Sequence, residues 1–382
     1  MYSQRIKICV ITTVSLTLRV FLLDQLIYLS QNGFDVTVIC DNDLDFARDC
    51  PMEIRYIPVH MTRNIGLLST VLGFRRDKFD IIQYSTPKAA LLSSLAGFVS
   101  GIPARLYCQW GLRYVGFNGI QRKVFKLLEK LTCFLSTDIT PDSHGNLEFA
   151  INERLYPKEK GYVIHNGSDL KKFDISCKLH WRNLVRTELK LKDNTFVYGF
   201  LGRINKDKGI NELINVFLKM TSSDPLIFLL LVGPEEDGHG LDQAVLKAIH
   251  NHPQIIAVGK RTNPQEYLAA MDVVILPSYR EGFGIVAIES EAMGVPVITT
   301  NIPGPQEAVI NGKTGILVPA GDEDNLLHAM RLLRNQPELL NSMAKNAVKF
   351  VQDNFEQKLF WEKVLEHRLT LFSKRCFKKF AN

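Results

Sequence analysis

The sequence predicts an α/β protein built from two doubly wound domains, and three observations carry this prediction. The chain has 382 residues, more than a single domain usually holds. Short apolar, β-branched runs alternate with amphipathic, helix-like stretches, which is typical of parallel sheets covered by helices on both faces. The alternation stops at a polar stretch from about Asn166 to Asp193 and then restarts, so one sheet is expected on each side of that stretch.

Composition and charge exclude several other classes of protein. With 46% hydrophobic and 23% charged residues, the chain is neither a disordered nor a collagen-like or coiled-coil protein. A net charge of +6 is too small to indicate a nucleic-acid partner, and none is predicted. The seven cysteines are odd in number and never spaced as CxxC, which indicates free thiols of a reducing compartment.

Neither a membrane span nor a signal peptide is expected from the N-terminal part of this sequence. The apolar stretch from Ile8 to Leu23 is interrupted by Thr, Ser and Arg19, and no run approaches the roughly 18 apolar residues that cross a bilayer. We therefore expect a cytoplasmic protein that is peripherally associated with the cytoplasmic face of the inner membrane.

Eleven strands are predicted, five before the polar stretch and six after it. The first five are Ile6 to Ile11, Val36 to Cys40, Ile81 to Tyr84, Arg105 to Cys108 and Asp138 to Thr140. The other six are Phe196 to Leu201, Ile227 to Val232, Ile255 to Val258, Val273 to Leu276, Val297 to Thr299 and Gly315 to Val318. Ligands of such sheets bind outside the carboxyl ends of the strands, so the chemistry is expected in a cleft where two sheets face each other.

The predicted domain organisation has three parts. Residues 1–170 form an N-terminal domain and residues 171–355 form a C-terminal domain. Residues 356–382 form a C-terminal helix and basic tail that packs back on the N-terminal domain. This last helix has apolar residues at helical spacing, which is typical of a packed surface helix.

The loop behind the strand that ends at Leu201 has the outline of an anion site. It runs Gly202-Arg203-Ile204-Asn205-Lys206-Asp207-Lys208-Gly209 and is followed by an amphipathic helix. The glycine turn and helix start offer free N–H groups, and Arg203 and Lys208 add two cations for a phosphate or diphosphate. An ordinary loop with solvated charges is the alternative.

A second loop, directly after the strand Val273 to Leu276, has the features of a ligand-binding loop. It runs Ser278-Tyr279-Arg280-Glu281-Gly282-Phe283-Gly284-Ile285-Val286-Ala287-Ile288-Glu289. Its glycines let the backbone approach a ligand, and a helix that starts near Gly284 points its N–H groups at that ligand. Glu281 and Glu289 are carboxylates that accept hydrogen bonds from vicinal hydroxyls. The alternative is a solvated loop acid and a helix-surface acid.

The two loops together resemble family 4 of the retaining glycosyltransferases, which have the GT-B fold. G-R-x4-K-G is followed some seventy residues later by E-G-F-G and E-x7-E. The resemblance implies two Rossmann-like doubly wound domains facing an interdomain cleft. It also implies that the N-terminal domain binds the acceptor and that the C-terminal domain binds the nucleotide-sugar. In the N-terminal half, Thr86-Pro87-Lys88-Ala89 and Gly111-Leu112-Arg113-Tyr114 are similar to a subgroup that builds bacterial capsules and O-antigens.

The resemblance implies roles for individual residues. Arg203 and Lys208 bind the donor diphosphate and stabilise the departing nucleotide in place of a metal, and Glu281 holds the transferred sugar. Glu289 holds the ribose. The implied catalytic residues are Arg203, Lys208 and Glu281, and the implied donor-binding residues are Gly202, Arg203, Lys208, Glu281, Gly282, Phe283, Gly284, Ile285 and Glu289.

The acceptor side departs from the family pattern. Many members have a histidine where this chain has Cys108-Gln109-Trp110-Gly111, and the glycine-rich loop after the first strand is missing. A tryptophan side chain can stack on a sugar face but cannot do the work of that histidine, so Trp110 is kept as a candidate residue of the cleft. The remaining acceptor candidates are Lys88, Arg113 and His165, the last of which is alternatively a structural histidine. The implied acceptor is a polyprenyl-diphosphate-linked glycan, the favoured donor is a UDP-sugar, with an N-acetylhexosamine as one option, and no cofactor is expected.

Three alternatives stay open at this point. Asp41, Asp43 and Asp45 form D-x-D spacings that suggest a metal-bound nucleotide in another architecture, although no metal requirement is predicted. A GT-B sugar-nucleotide epimerase and a noncatalytic sugar-nucleotide binding protein are the other two.

A basic amphipathic helix is predicted to lie on anionic inner-leaflet lipid. The stretch Gln121 to Leu135 has apolar Val124, Leu127, Leu128 and Leu131 and basic Arg122, Lys123, Lys126 and Lys130. The tail adds Phe372, Lys374, Arg375, Phe377, Lys378, Lys379 and Phe380. An ordinary surface helix and a frayed tail are the alternative.

Overall fold

The computed structural model describes residues 5–59, 67–236 and 240–376. The chain divides into two compact units. The first combines the described residues up to Ile164 with those from Phe360 onward, and the second is His165–Leu359. The sequence predicted boundaries at 170 and 355, whereas this division into units falls after Ile164 and after Leu359.

The first unit contains a six-stranded sheet in which all neighbouring strands are parallel. The strand order is β3-β2-β1-β4-β5-β6. The strands are β1 (Ile6–Ile11), β2 (Phe34–Cys40), β3 (Ile54–Pro58), β4 (Ile81–Tyr84), β5 (Ala104–Gln109) and β6 (Asp138–Pro141). β3 was not predicted, because it is a half-exposed edge strand of sequence IRYIP and lacks a continuous apolar run.

Helices cover both faces of this sheet. They are α1 (Ser15–Thr17), α2 (Leu23–Gln31), α3 (Leu44–Asp49), α4 (Leu67–Asp77), α5 (Pro87–Val99), α6 (Gly119–Leu135) and α7 (His144–Asn152), with a π-helical turn at Leu18–Leu22 and 3-10 turns at Arg113–Gly116 and Lys158–Lys160. Along β1, Ile8 and Val10 join one buried cluster while Cys9 and Ile11 join the other. A strand buried on both faces explains its uninterrupted apolar sequence.

The second unit repeats this architecture. Its parallel sheet has the order β12-β11-β10-β7-β8-β9. The strands are β7 (Phe196–Leu201), β8 (Ile227–Val232), β9 (Ile255–Ala257), β10 (Val273–Leu276), β11 (Val297–Thr300) and β12 (Gly315–Val318). The predicted pair of doubly wound parallel sheets is thereby confirmed.

The helices of the second unit surround one large core. They are α8 (Lys178–Glu188), α9 (Ile210–Thr221), α10 (Gln243–Asn251), α11 (Pro264–Ala270), α12 (Ile285–Ala292), α13 (Pro305–Ala308), α14 (Glu323–Asn335) and α15 (Pro337–Asn354), with 3-10 turns at Ile175–Cys177 and Lys206–Lys208. All four residues of β10 are buried, as are those of β11. The continuous apolar or β-branched sequences of both strands suit this burial.

The last described helix, α16 (Gln357–Cys376), belongs mostly to the first unit. Its Val364 and Leu371 are buried with the residues of β1 and β2. The buried Arg368 donates two hydrogen bonds to Oε1 of Gln83 on β4, at 3.1 and 2.9 Å. The predicted tail residues Phe377, Lys378, Lys379 and Phe380 lie outside the described residues.

Across the described ranges, no helix combines the length and the apolar character needed to span a membrane.

Candidate active site

The candidate site lies where the strand order of the second sheet reverses. β7 is flanked by β8 on one side and by β10 on the other, so the chain winds outward from β7 in both directions. Loops that follow such strands diverge at the carboxyl edge and leave a crevice for a ligand. Both sequence motifs follow strands at this point, one after β7 and the other after β10.

The loop after β7 is held by a side-chain cap and by one glycine. Oδ1 of Asn205 accepts a hydrogen bond from the backbone N–H of Lys208 at 3.1 Å and so fixes the turn Lys206–Lys208. Gly209 has φ +70°, and a Cβ there would lie 2.1 Å from the carbonyl oxygen of Pro277. Only glycine therefore allows this loop to lie against the end of β10.

The loop after β10 is supported by a second close backbone approach. Gly304, which precedes α13, has φ +97°, and a Cβ there would lie 1.7 Å from the carbonyl oxygen of Gly282. Gly284 is the N-cap of α12, as the sequence predicted. Gly282, Gly284 and Ile285 are half-buried, while the Phe283 side chain is buried.

Backbone and side-chain contacts join the two loops. The N–H of Tyr279 donates to the carbonyl of Asp207 at 2.9 Å, and the Asp207 carboxylate pairs with Arg280 at 2.6 Å. Nζ of Lys208 lies 2.5 Å from Oε1 of Glu281. Two residues that are 73 positions apart in the chain thus meet as an ion pair, which the sequence motifs did not predict.

One carboxylate oxygen of Glu281 contacts neighbouring side chains, and the other is available to a ligand. Its Oε1 accepts a hydrogen bond from Oγ of Ser278 at 2.9 Å as well as the contact from Lys208. No hydrogen bond to Oε2 is made by any residue that the structure describes. The carboxylate is fixed in orientation and keeps an acceptor atom for a ligand hydroxyl.

Arg203 is held by an acid that the sequence analysis missed. Nη1 of Arg203 lies 3.0 and 3.1 Å from the two carboxylate oxygens of Glu236, which also accepts from Nδ2 of Asn205 at 2.7 Å. The Arg203 side chain remains 54% exposed. Glu236 follows β8, the strand beside β7, so its place after a strand end was the available signal.

Glu289 is a desolvated carboxylate on α12. Burial raises its pKa to about 7, and the charge of Lys172 offsets this only in part. Its carboxylate makes no hydrogen bond within the described ranges. Hydrogen bonds from the hydroxyl groups of a ligand would stabilise the ionised form of such a carboxylate.

His165 lies in the second unit, beside the loop after β10. Its Nε2 lies 2.9 Å from Oε2 of Glu307 near the end of α13. Its ring centroid lies 5.3 Å from that of Phe283, which packs in turn on Phe355 at 5.4 Å. The side chain of Phe283 thus packs under the loop, and what this part of the loop offers a ligand is its backbone.

The other acceptor-side candidates lie in the first unit. Lys88 is exposed in the first turn of α5, which follows β4, and Trp110 directly follows the neighbouring strand β5. The half-buried Trp110 lies 6.4 Å from the ring of Phe21. Arg113 lies over the rings of Phe117 and Phe125, at 5.9 and 5.6 Å.

The D-x-D acids are engaged by the protein itself. Asp43 caps α3 by accepting from the N–H of Phe46 at 2.9 Å, and Ser15 donates to its other oxygen. The hydrogen bond from Ser15 is the main reason that the pKa of Asp43 lies below its usual range. Asp45 pairs with Arg48 at 3.3 Å. The acids here serve as a helix cap and as ion-pair partners.

Comparisons with known proteins agree on one family. A family model described as glycosyl transferases group 1 matches residues 182–350. The capsular polysaccharide biosynthesis glycosyltransferase CapM of Staphylococcus aureus is 31% identical over 351 residues, which cover 89% of this chain and 91% of CapM. The chain belongs to the group 1 glycosyltransferases. The protein is therefore a glycosyltransferase, and the fold is the GT-B fold.

Two further proteins resemble this glycosyltransferase along most of its length. An Escherichia coli enzyme named UDP-Gal:alpha-D-GlcNAc-diphosphoundecaprenol alpha-1,3-galactosyltransferase is 26% identical over 343 residues, covering 86% of this chain and 87% of the relative. The Anabaena protein HepE, solved in complex with UDP and glucose, has a TM-score of 0.79 at 20% identity and matches 96% of this chain and 100% of HepE.

Proposed function

We propose that this glycosyltransferase moves a sugar from a UDP-sugar to a lipid-linked glycan acceptor, with retention of configuration and without a metal ion, during assembly of a surface polysaccharide. The observation that carries the proposal is the contact between Lys208 and Glu281, with Nζ 2.5 Å from Oε1. An ammonium and a carboxylate that touch each other are suited to two adjacent parts of one ligand.

The Lys208 ammonium and the Glu281 carboxylate suit the two sides of the bond that breaks, which joins the donor sugar to phosphate. The phosphate of a nucleoside diphosphate sugar accepts from a lysine ammonium, and the sugar hydroxyls donate to a carboxylate oxygen. Oε2 of Glu281 is placed for such hydroxyls because Ser278 and Lys208 occupy Oε1. We infer from this that the anomeric carbon of the donor lies next to Lys208 in the complex.

In the proposed reaction the acceptor hydroxyl attacks the anomeric carbon from the face that the phosphate leaves. The carbon–oxygen bond to phosphate breaks, a new bond to the acceptor oxygen forms, and the acceptor proton goes to the departing phosphate. Negative charge that develops on this phosphate is stabilised by Lys208 and Arg203. Two cations in the loop after β7 make a metal ion unnecessary for that purpose.

The proposed donor and acceptor classes rest on similarity together with surface chemistry. HepE is described in complex with UDP and with UDP-glucose, and the E. coli relative is named for a UDP-galactose donor and a diphosphoundecaprenol acceptor. In the first unit, Leu16, Val20 and Phe21 follow β1 and are 54%, 60% and 52% exposed. Apolar side chains at a strand end, with Trp110 beside Phe21, suit an acceptor that carries both sugar and hydrocarbon.

The proposal is tested by the release of UDP from a panel of UDP-sugars in the presence of a chelator. We expect turnover in chelator and a loss of roughly 10²- to 10³-fold in kcat for Lys208→Ala, with little change in KM. Lys219 forms a similar ion pair with Glu323 at 2.7 Å, so Lys219→Ala is the matched control and should retain full activity. Activity that needs added magnesium or manganese, or an active Lys208→Ala variant, would overturn the proposal.

A further inference from the structure

Helix α6 exposes a continuous apolar stripe to solvent. Five large apolar residues lie along one side of it, each more than two-fifths exposed. They are Ile120 at 81%, Val124 at 49%, Leu127 at 68%, Leu131 at 42% and Phe134 at 75%. Single exposed apolar residues are common, but monomeric proteins rarely expose several in one patch unless the patch binds something.

Helix geometry shows that these residues form one surface. At about 100° per residue, spacings of four, three, four and three residues keep all five side chains within an arc of about 80°. At about 1.5 Å per residue the stripe is about 21 Å long. The opposite face of α6 packs on the unit through the buried residues Thr132 and Cys133. Leu128, which the sequence analysis placed with the apolar surface, is half-buried beside that inner face.

The charges on α6 are separated by face. Arg122, Lys123 and Lys130 are exposed, and the two lysines lie along the same side of the stripe. Glu129 is the only acid in Gly119–Leu135, and it is turned inward. It accepts hydrogen bonds from the Tyr107 hydroxyl at 3.0 Å and from Nε2 of Gln109 at 2.7 Å, while burial raises its pKa.

We propose that the α6 stripe docks on a bilayer that contains anionic phospholipid. The apolar side chains enter the region between headgroups and acyl chains, and the lysines beside them contact lipid phosphates. An apolar face with a basic border along one side and an inward-turned acid is complementary to a negatively charged, apolar surface. The proposal goes beyond the proposed function, because it concerns an exposed face of α6 and not the loops of the candidate site.

Flotation of the full chain with vesicles tests the docking directly. Vesicles of phosphatidylcholine with about one third phosphatidylglycerol are compared with vesicles of phosphatidylcholine alone. We expect binding to the anionic vesicles that weakens as salt is raised. Leu127→Ser with Phe134→Ser should weaken binding at least about tenfold. Lys123→Gln with Lys130→Gln should weaken it about 25-fold, from about fivefold per basic residue.

Matched controls come from the second unit. Leu179 on α8 is 70% exposed, close to the 68% of Leu127, and Lys345 on α15 is exposed. Leu179→Ser and Lys345→Gln should leave vesicle binding unchanged. Thermal stabilisation by UDP should be the same in every variant, so that a failure of docking is distinguishable from a failure of the proposed function.

Three results would overturn the docking proposal. The first is that the wild-type protein does not float with the anionic vesicles at low salt. The second is that the variant with Leu127→Ser and Phe134→Ser floats as well as the wild type. The third is a wild-type mass in solution that is that of a dimer and becomes that of a monomer in this variant, because a second copy would then cover the stripe.

Discussion

Replacement of Glu289 by Gln should abolish a pH dependence of donor affinity that the wild-type protein shows. Burial raises the pKa of Glu289 to about 7. A ribose diol that donates two hydrogen bonds is accepted fully only by the ionised carboxylate. With a pKa of about 7, the ionised fraction rises from about one tenth at about pH 6 to about nine tenths at about pH 8. Donor affinity should therefore rise about tenfold over this interval.

The assay is calorimetric titration with UDP-glucose at three pH values. UDP-glucose suits it because each of its phosphates carries one strongly acidic hydroxyl, so the ligand does not titrate in this interval. Glu289→Gln keeps the size of the side chain and removes its charge, and its affinity should be constant. Glu338 is exposed at the start of α15, so Glu338→Gln serves as the control that keeps the wild-type slope.

The stability of the unliganded protein should change with pH in the opposite sense. The folded-state pKa of Glu289 lies above its ordinary value of 4.5, so its contribution to stability is present below about pH 4.5 and is lost as the pH rises through about 7. Stabilisation by the donor should grow over the same interval. A tenfold slope that persists in Glu289→Gln would refute this reasoning.

Three further substitutions have defined outcomes. Burial raises the pKa of Glu291 to about 8. The free energy of unfolding of the wild type, measured in urea, should therefore fall by about 3 kcal/mol relative to that of Glu291→Gln between about pH 5 and pH 8. A difference between the two proteins that does not change with pH would contradict this. Gly304→Ala should lower the free energy of unfolding by roughly 3 kcal/mol, because its Cβ would lie 1.7 Å from a carbonyl oxygen. A Cβ at Gly312 would meet no atom within 4 Å, so Gly312→Ala should lower it by only about 1 kcal/mol in the same assay. Glu236→Gln releases Arg203 from an exposed ion pair that is worth up to about 1 kcal/mol. In titrations at low salt, UDP should therefore bind this variant up to about fivefold more tightly than the wild type. Weaker binding would contradict this.

The strands could be predicted because burial on both faces leaves a local trace in the sequence. β8 reads IFLLLV, and its residues are buried apart from one half-buried phenylalanine. β3 shows where this fails. It lies at the sheet edge with one face partly in solvent, and it ends in a proline that an edge strand tolerates. Nothing in five residues of mixed polarity distinguishes such a strand from a loop.

The loops of the candidate site could be predicted, but their ion pairs could not. The order strand, glycine turn and helix start is local, and it located Gly202 and Gly284. Arg203 and Glu236 are 33 positions apart and meet only because β7 and β8 are neighbours in the sheet. That neighbour relation depends on the topology of the whole unit, so no local pattern contains it.

Helix α12 shows most clearly what the sequence leaves undetermined. Glu289 and Glu291 lie two residues apart, which at about 100° per residue places them on nearly opposite sides of the helix. Glu289 keeps partial exposure, whereas Glu291 is fully buried and its carboxylate oxygens have no hydrogen-bond partner in the described ranges. Both pKa values are raised by burial, so an elevated pKa does not by itself mark the ligand-binding acid. Access to a ligand separates the two, which is why donor affinity should respond to Glu289→Gln and folding stability to Glu291→Gln.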